Sequence, residues 1–314
     1  MTWLLVTNYE KEPAQWQRDL RQHVKDIEVR GFSDKYDPAM IEVILTDCPL
    51  QSRGGFGLFT NLKWVHFLGH GVGDVLHDPS LRTGIIVTRQ HQQSTADSLA
   101  IYALHAVTNH HLRAHDYWVL KLRACWQRLP LARSNELKIV VLGLGIIGRT
   151  IAVRLSMMGY SVTGWSRTKH TLPGVTGVFG SPALHSELET ADYVIGALPE
   201  TNQTINLINI SLIMKMKKGV YIINIGRGSL INEKDLLAAI DIGHVSGAHL
   251  DVFSQEPLPN ENPLWSHPNV TITPHQGGPP QADTHQIITE LAQNYRRLRS
   301  GKSLLQVANR KLGY

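Results

Sequence analysis

Six short apolar runs recur at regular spacing in the second half of the chain: Ile139 to Leu142, Ser161 to Trp165, Tyr193 to Leu198, Val220 to Ile225, Val245 to Leu250 and Val270 to Ile272. Runs of this length predict strands, and helix-compatible segments lie between several of them. Strands that alternate with helices predict a parallel, doubly wound sheet. One such helix spans Asn232 to Ile240, where Asn232 can cap the first turn and Glu233 and Asp235 suit its positive end. The first hundred residues repeat the theme on a smaller scale. Trp3 to Val6, Glu42 to Leu45, Trp64 to Leu68 and Ile85 to Val87 read as strands, and Pro13 to Val24 as a helix. Thr95 to Arg113 carries neither proline nor glycine and predicts a long helix between the two parts. Ala282 to Arg299 predicts another, ahead of a short tail.

A length of 314 residues suits two domains, and 42% apolar against 18% charged residues supports sizeable cores. The net charge of +5 is spread along the chain, with no basic run interleaved with aromatics. Nucleic-acid binding is therefore not expected, whereas a small anionic substrate is compatible. Cys48 and Cys125 are far apart and offer neither a disulfide framework nor a paired metal spacing. The opening MTWLLVTNYEKEP lacks the basic region and long apolar stretch of a signal peptide. No run reaches the roughly 18 apolar residues of a membrane helix. A cytoplasmic protein without membrane contact is expected. His105, His110, His111 and His115 fall in one expected helix, and His111 and His115 share a face. With no acid or cysteine to support them, they read as surface or packing histidines, and no metal is expected.

The most informative stretch is KIVVLGLGIIGRTIAVRLSMMGYSVTGWSR, Lys138 to Arg167. It reads as strand, glycine turn, helix, strand. Gly143 allows a tight turn, Gly145 lets backbone approach a pyrophosphate, and Gly148 lets the helix pack on the sheet. Ile146 and Ile147 open the helix, whose unpaired N–H groups and positive end suit phosphate. Such a unit binds a nicotinamide dinucleotide. Where an acid usually meets the adenosine ribose, this chain has Ser166-Arg167, with Lys169 nearby. An acid would repel a 2′-phosphate and a serine with a base would accept it, so NADP(H) is expected over NAD(H). Further on, three expected strand ends carry reactive side chains: Arg227 after Ile222 to Ile225, Asp251 and Glu256 after Gly247 to Leu250, and His275 after Val270 to Ile272. The carboxyl ends of strands are where an open sheet binds ligands.

These segments resemble the D-isomer-specific 2-hydroxyacid dehydrogenases, and within them the bacterial glyoxylate/hydroxypyruvate reductase A type. The likeness covers nearly the whole chain. It includes LKWVHFLGHGVGDVL, WSRTKHTLPGV, NIGRGSLINEKDLLAAI, LDVFSQEPLPNENPLWSHPNVTITPH and the final GY. The resemblance implies an α/β protein of two Rossmann-like domains with doubly wound parallel sheets. Residues 1–101 and 290–314 would form a discontinuous substrate domain and residues 102–289 the dinucleotide-binding domain, with substrate in the cleft between them. It implies that Arg227 holds the substrate carboxylate, that His275 is the general acid in reduction, and that Glu256 pairs with His275. Backbone N–H groups at Gly69, His70, Gly71 and Val72 would complete the carboxylate clamp. Cofactor contacts would extend to Leu198, Ile225, Gly226, Asp251 and Gly277.

The implied activity is NADPH-dependent reduction of glyoxylate or hydroxypyruvate to the hydroxy acid, by a homodimer built through the cofactor domain and an arm at about 102–133. Alternatives are reduction of another 2-keto acid, a phosphoglycerate dehydrogenase, or a nucleotide-sensing, corepressor-like interaction protein. The chain departs from the family pattern at His70, where a small residue is usual, at Gly73, where an acid is usual, and at Ile101, where glutamate is frequent. Glycine and proline are also unusually dense in Gln276 to Pro280. These departures bear on which 2-keto acid is accepted.

Overall fold

A computed structural model describes residues 1–7, 13–69, 71–90, 93–278 and 284–314. The chain forms two compact units, 1–92 with 281–314 and 93–280. In chain order the strands and helices of the first unit are β1 (Thr2–Val6), α1 (Pro13–Arg21), β2 (Glu28–Gly31), β3 (Ile41–Thr46), β4 (Trp64–Phe67), α2 (Gly73–Leu76) and β5 (Ile86–Arg89). The second unit comprises α3 (Gln93–His111), α4 (Ala114–Leu122), β6 (Lys138–Leu142), α5 (Ile146–Met157), β7 (Ser161–Ser166), β8 (Val175–Phe179), α6 (Ser181–Leu188), β9 (Tyr193–Gly196), α7 (Ile210–Ile213), β10 (Val220–Asn224), α8 (Glu233–Asp241), β11 (Val245–Leu250) and β12 (Val270–Ile272). The last helix, α9 (Thr284–Arg299), returns to the first unit.

The first unit is a five-stranded sheet in the order β2-β1-β3-β4-β5, with every neighbour parallel. Its strands are apolar along their length because both faces are covered. Trp3 and Leu5 point into one core with Trp16 and Leu20 of α1 and Ile287 and Leu291 of α9. Leu4 and Val6 point the other way, onto Phe56 and Phe59. The tail completes the unit through an antiparallel bridge between Val307 and Thr88.

The second unit is a seven-stranded parallel sheet in the order β12-β11-β10-β9-β6-β7-β8. The strand order reverses between β6 and β9, which is where such a sheet opens a crevice for ligand. Ile139 and Val141 of β6 face α3 and α5, while Val140 and Leu142 face α8 and α6. The buried stripe of α3 is Ala96, Leu99, Ala100, Ala103, Ala106 and Val107, at helical spacing. Its small residues let α5 lie close.

The two units divide beside α3 and α9, and each helix packs on one unit's core. Two sequence expectations about the elements need correction. The four histidines do not share a helix. Arg113 takes a left-handed conformation (φ 57°), ends the run, and leaves His115 in α4. Two strands were not expected at all, β2 and β8, and both lie at a sheet edge.

Candidate active site

The glycine turn follows β6. Gly143 has φ +100°, and a Cβ there would lie 2.7 Å from the carbonyl oxygen of Ala197, so side chains are excluded on two counts. A Cβ at Gly148 would lie 1.8 Å from the Gly143 carbonyl oxygen. That contact presses the first turn of α5 onto the strand. Gly145 differs from both: a Cβ there meets nothing within 4 Å. Its glycine therefore keeps a space open rather than satisfying the protein's own packing. Gly145 caps α5 without a side-chain hydrogen bond, and no acid occupies the first turn. The N–H groups opened by Ile146 and Ile147 are thus unopposed, and the helix end is positive. These features fit a dinucleotide pyrophosphate. At the end of β7, Ser166 is buried and its hydroxyl donates to the Thr168 carbonyl oxygen at 2.6 Å. Arg167 and Lys169 are exposed beside it.

Leu198 follows β9 and lies against both Gly143 and Gly226; a Cβ at Gly226 would be 2.8 Å from the Leu198 carbonyl oxygen. The ends of β6, β9 and β10 are thereby locked together. Ile225 donates its N–H to the Gly196 carbonyl oxygen at 3.1 Å and turns its side chain into the core.

Arg227 is half-buried just beyond β10. The buried Asn224 shapes its turn, donating to the Arg227 carbonyl oxygen at 2.9 Å and accepting from the Gly226 N–H at 3.2 Å. The Arg227 Nη1 donates to the Gly226 carbonyl oxygen at 2.8 Å. A Cβ at Gly228 would fall 1.8 Å from the carbonyl carbon of Phe253, so only glycine lets this turn press against the segment carrying Glu256. Glu256 accepts the Phe253 N–H at 2.9 Å through Oε1 and pairs with His275 Nδ1 at 2.7 Å through Oε2. Burial pushes the Glu256 carboxyl up, but the His275 hydrogen bond, the Phe253 N–H and Arg227 outweigh it and hold it below its ordinary value. The Glu256 hydrogen bond raises the His275 imidazole above its ordinary value, against burial and Arg227. With Nδ1 committed to the carboxylate, Nε2 is the atom left to act on a ligand, and it has no partner among the described residues.

Asp251 and Gly277 belong to a hydrogen-bond network within the second unit. Asp251 is buried, and its carboxylate accepts from Thr273 Oγ1 at 2.6 Å and from the N–H groups of Gln276 at 2.7 Å and Gly277 at 2.9 Å. Gly277 is buried against Leu99 and Asp251, with its N–H already used. Both residues build the loop that carries His275. Residue spacing does not predict this network. Tyr102, on the same face of α3 as Leu99 and Ala106, reaches Thr273.

In the first unit, Gly69, Gly71 and Val72 follow β4, and their N–H groups have no partner among the described residues. His70 lies outside the described residues. The expected packing histidines have aromatic partners: His110 stacks on Tyr221 and bonds to Tyr193, and His111 bonds to Tyr160. Burial holds His110 at about 4. Among the described residues no helix is long and apolar enough to cross a membrane.

A family model described as D-isomer specific 2-hydroxyacid dehydrogenase, NAD binding domain, matches residues 102–277. A glyoxylate/hydroxypyruvate reductase A from Salmonella paratyphi B is 36% identical over 258 residues, which is 81% of this chain and 82% of its own. Two solved structures align over 100% of this chain and 99% of theirs. A D-isomer specific 2-hydroxyacid dehydrogenase from Xanthobacter autotrophicus Py2 in complex with NADPH and MES has a TM-score of 0.90 at 29% identity. An NADPH-dependent glyoxylate/hydroxypyruvate reductase from Sinorhizobium meliloti in complex with NADP and sulfate has a TM-score of 0.88 at 26% identity. With the family model spanning more than half of its length, the chain belongs to the D-isomer-specific 2-hydroxyacid dehydrogenases, oxidoreductases that use a nicotinamide dinucleotide on small 2-hydroxy and 2-keto acids.

Proposed function

We propose that this enzyme reduces glyoxylate or hydroxypyruvate to the 2-hydroxy acid with NADPH. The observation that carries the chemistry is the His275–Glu256 pair, 2.7 Å apart beside the Arg227 turn. When bound, the nicotinamide supplies the hydride. Arg227 takes the substrate carboxylate, because a planar guanidinium can grip it through two parallel hydrogen bonds and fix the neighbouring ketone. His275, held protonated by Glu256, donates its Nε2 proton to the ketone oxygen as the alkoxide forms. The neutral imidazole then regains a proton from water, since its side chain is 52% exposed within its own unit. The N–H groups of Gly69, Gly71 and Val72, without partners among the described residues, are proposed for a carboxylate on the strength of the resemblance.

NADPH is favoured over NADH by the stretch Ser166 to His170, which contains two hydroxyls and basic groups and no carboxylate. One charge-assisted hydrogen bond to a 2′-phosphate, about 1.5 kcal/mol, corresponds to roughly tenfold in kcat/KM. The relatives named for glyoxylate and hydroxypyruvate support the substrate class. Turnover on glyoxylate, hydroxypyruvate and larger 2-keto acids with either reduced cofactor tests the reading. The highest kcat/KM is expected for one of the two small acids with NADPH; a preference for NADH or for a larger acid overturns it.

We also propose a homodimer. α4 buries none of its side chains, and Trp118, Leu122, Trp126 and Leu131 are exposed along 114–131. Apolar side chains gathered on one segment in this way mark a surface that another protein covers, and a second copy brings the same surface.

A further inference from the structure

Helix α3 reaches the His275 loop through a side chain that the proposed chemistry does not use. The Tyr102 hydroxyl hydrogen-bonds to Thr273 Oγ1 and, at 2.8 Å, to His249 Nε2. Thr273 in turn donates to Asp251 Oδ1. Asp251 holds both flanks of the histidine: Thr273 on one side, and the N–H groups of Gln276 and Gly277 on the other. His275 sits between these anchors with φ 54°, and its own N–H donates to the Asp251 carbonyl oxygen at 2.9 Å. A left-handed backbone at a non-glycine residue is strained and persists only where its surroundings impose it.

Counting protons gives the chain a direction. An ionised Asp251 only accepts, so Thr273 spends its single proton there. Tyr102 then donates to Thr273, and His249 donates to Tyr102 from Nε2. His249 is thereby fixed as one neutral tautomer, with Nδ1 buried and without a hydrogen-bond partner. Burial keeps it neutral, at about 4, with His105 acting in the same direction and Asp251 against it. The His105 ring lies 5.9 Å away. Hydrogen bonds aligned in series polarise one another, and a buried series rigidifies what it ends on.

We propose that Tyr102 is a positioning residue for His275, acting through Thr273 and Asp251, so that its hydroxyl sets the turnover rate and leaves substrate and cofactor binding alone. The inference rests on the reading of His275 as the general acid. Phenylalanine at 102 leaves the His249 Nε2–H without an acceptor and Thr273 Oγ1 without its donor, so that the bond to Asp251 alone holds the Thr273 side chain. The strained backbone at His275 then relaxes, and its contact with Glu256 loosens. The charged groups facing His275 are Glu256, Arg227 and Asp251. Glu256 is the one whose loosening moves the proton affinity of the imidazole, and it moves it downwards.

The test compares Tyr102→Phe, Thr273→Val, Thr273→Ser, the Tyr102→Phe/Thr273→Val double variant and His275→Ala by steady-state kinetics across pH, with thermal melts as a control. Tyr102→Phe and Thr273→Val are each expected to lower kcat by about 10- to 100-fold, the cost of misplacing a catalytic group by an ångström or less. KM values should stay within about twofold, and the basic limb of the kcat profile should move to lower pH. Thr273→Ser keeps the chain and should keep kcat. The double variant should be no worse than the worse single variant, because both break one series. Should Tyr102→Phe fail to fold, the pair at Thr273 carries the comparison. A dead His275→Ala beside Tyr102→Phe and Thr273→Val that keep the wild-type rate and profile overturns the positioning role alone. An active His275→Ala overturns the reading beneath it. Variants that lose rate only in proportion to their unfolded fraction, with the pH profile unmoved, reduce Tyr102 to a structural residue and also overturn the proposal.

Discussion

Alanine at Gly145 and alanine at Gly148 separate a glycine kept for a ligand from a glycine kept for the fold. Gly145 has φ −66° and ψ −171°, which any residue can adopt, and a Cβ there touches nothing within 4 Å. Its alanine variant restricts the unfolded chain, a gain of about 0.4–1 kcal/mol, offset by a loss of similar size because alanine is a poor helix cap. The melting temperature of the free enzyme should move by no more than about 2–4 °C. The methyl group, however, enters the space left for the pyrophosphate. Losing two charge-assisted hydrogen bonds of about 1.5–3 kcal/mol each raises the Kd for NADPH by about 100-fold or more. At Gly148 the Cβ would lie 1.8 Å from the Gly143 carbonyl oxygen and 2.9 Å from its carbon. Both are backbone atoms, and clearing them requires a shift of more than an ångström. Overpacking of this kind costs about 1–3 kcal/mol or more, so this variant should melt lower even without ligand. Thermal melts of the free enzyme and calorimetric titration with NADPH measure both effects. A Gly145→Ala enzyme that binds NADPH as tightly as the wild type would falsify the cradle.

Ser166→Asp should raise the KM for NADPH about tenfold or more through repulsion of the 2′-phosphate and leave the KM for NADH less affected; unchanged selectivity removes Ser166 from the argument. Arg227→Gln should lower kcat/KM for the keto acid by about 100-fold or more, the worth of a bidentate charged pair, and Arg227→Lys should recover only part. The pH dependence follows from the pair beside it. Reduction needs protonated His275, whose value is raised above 6.5, and ionised Glu256, whose value is lowered below 4.5. Reductive kcat/KM should therefore fall as pH rises through the raised His275 value, while oxidation of the hydroxy acid gains there; a reductive rate that climbs with pH contradicts the assignment. The stability contributed by Glu256 is present above 4.5 and lost as pH falls through its lowered value. That of His275 is full below 6.5 and lost as pH rises through its raised value, so the pair stabilises most between 4.5 and 6.5. Light scattering should give twice the chain mass of 35.1 kDa, and a monomer refutes the proposed dimer.

How far the sequence could be read depended on how local each cause was. β1, β3, β4, β6, β9, β10 and β11 are buried on both faces, so their apolar runs announce them without reference to anything distant. β2, Glu28–Gly31, alternates buried and less buried positions and carries two charges in four residues. β8, Val175–Phe179, has no buried residue. Each pairs with one neighbour only, and a strand specified by its partner's backbone leaves little trace in its own side chains. The cap of α8 was legible for the same reason that the inner strands were: Asn232 accepts the Asp235 N–H three residues on.

The site divides along the same line. Gly143, Gly145 and Gly148 act within six residues of one another, and Arg227 and His275 follow directly from the strand ends that carry them. Asp251 reaches Thr273, Gln276 and Gly277 across 22 to 26 residues, and Tyr102 reaches Thr273 across 171. No spacing rule connects such pairs. An acid past a strand end in a dinucleotide-binding sheet points to a ligand contact; its place in the loop network, accepting from the Thr273 hydroxyl and two backbone N–H groups, does not follow from that position. The buried Asp251 accepts from three donors of its own chain, which ties its carboxylate to the geometry of the His275 loop. Glu256 has one backbone donor and one imidazole, and that difference separates the carboxylate that sets a proton affinity from the one that sets a geometry.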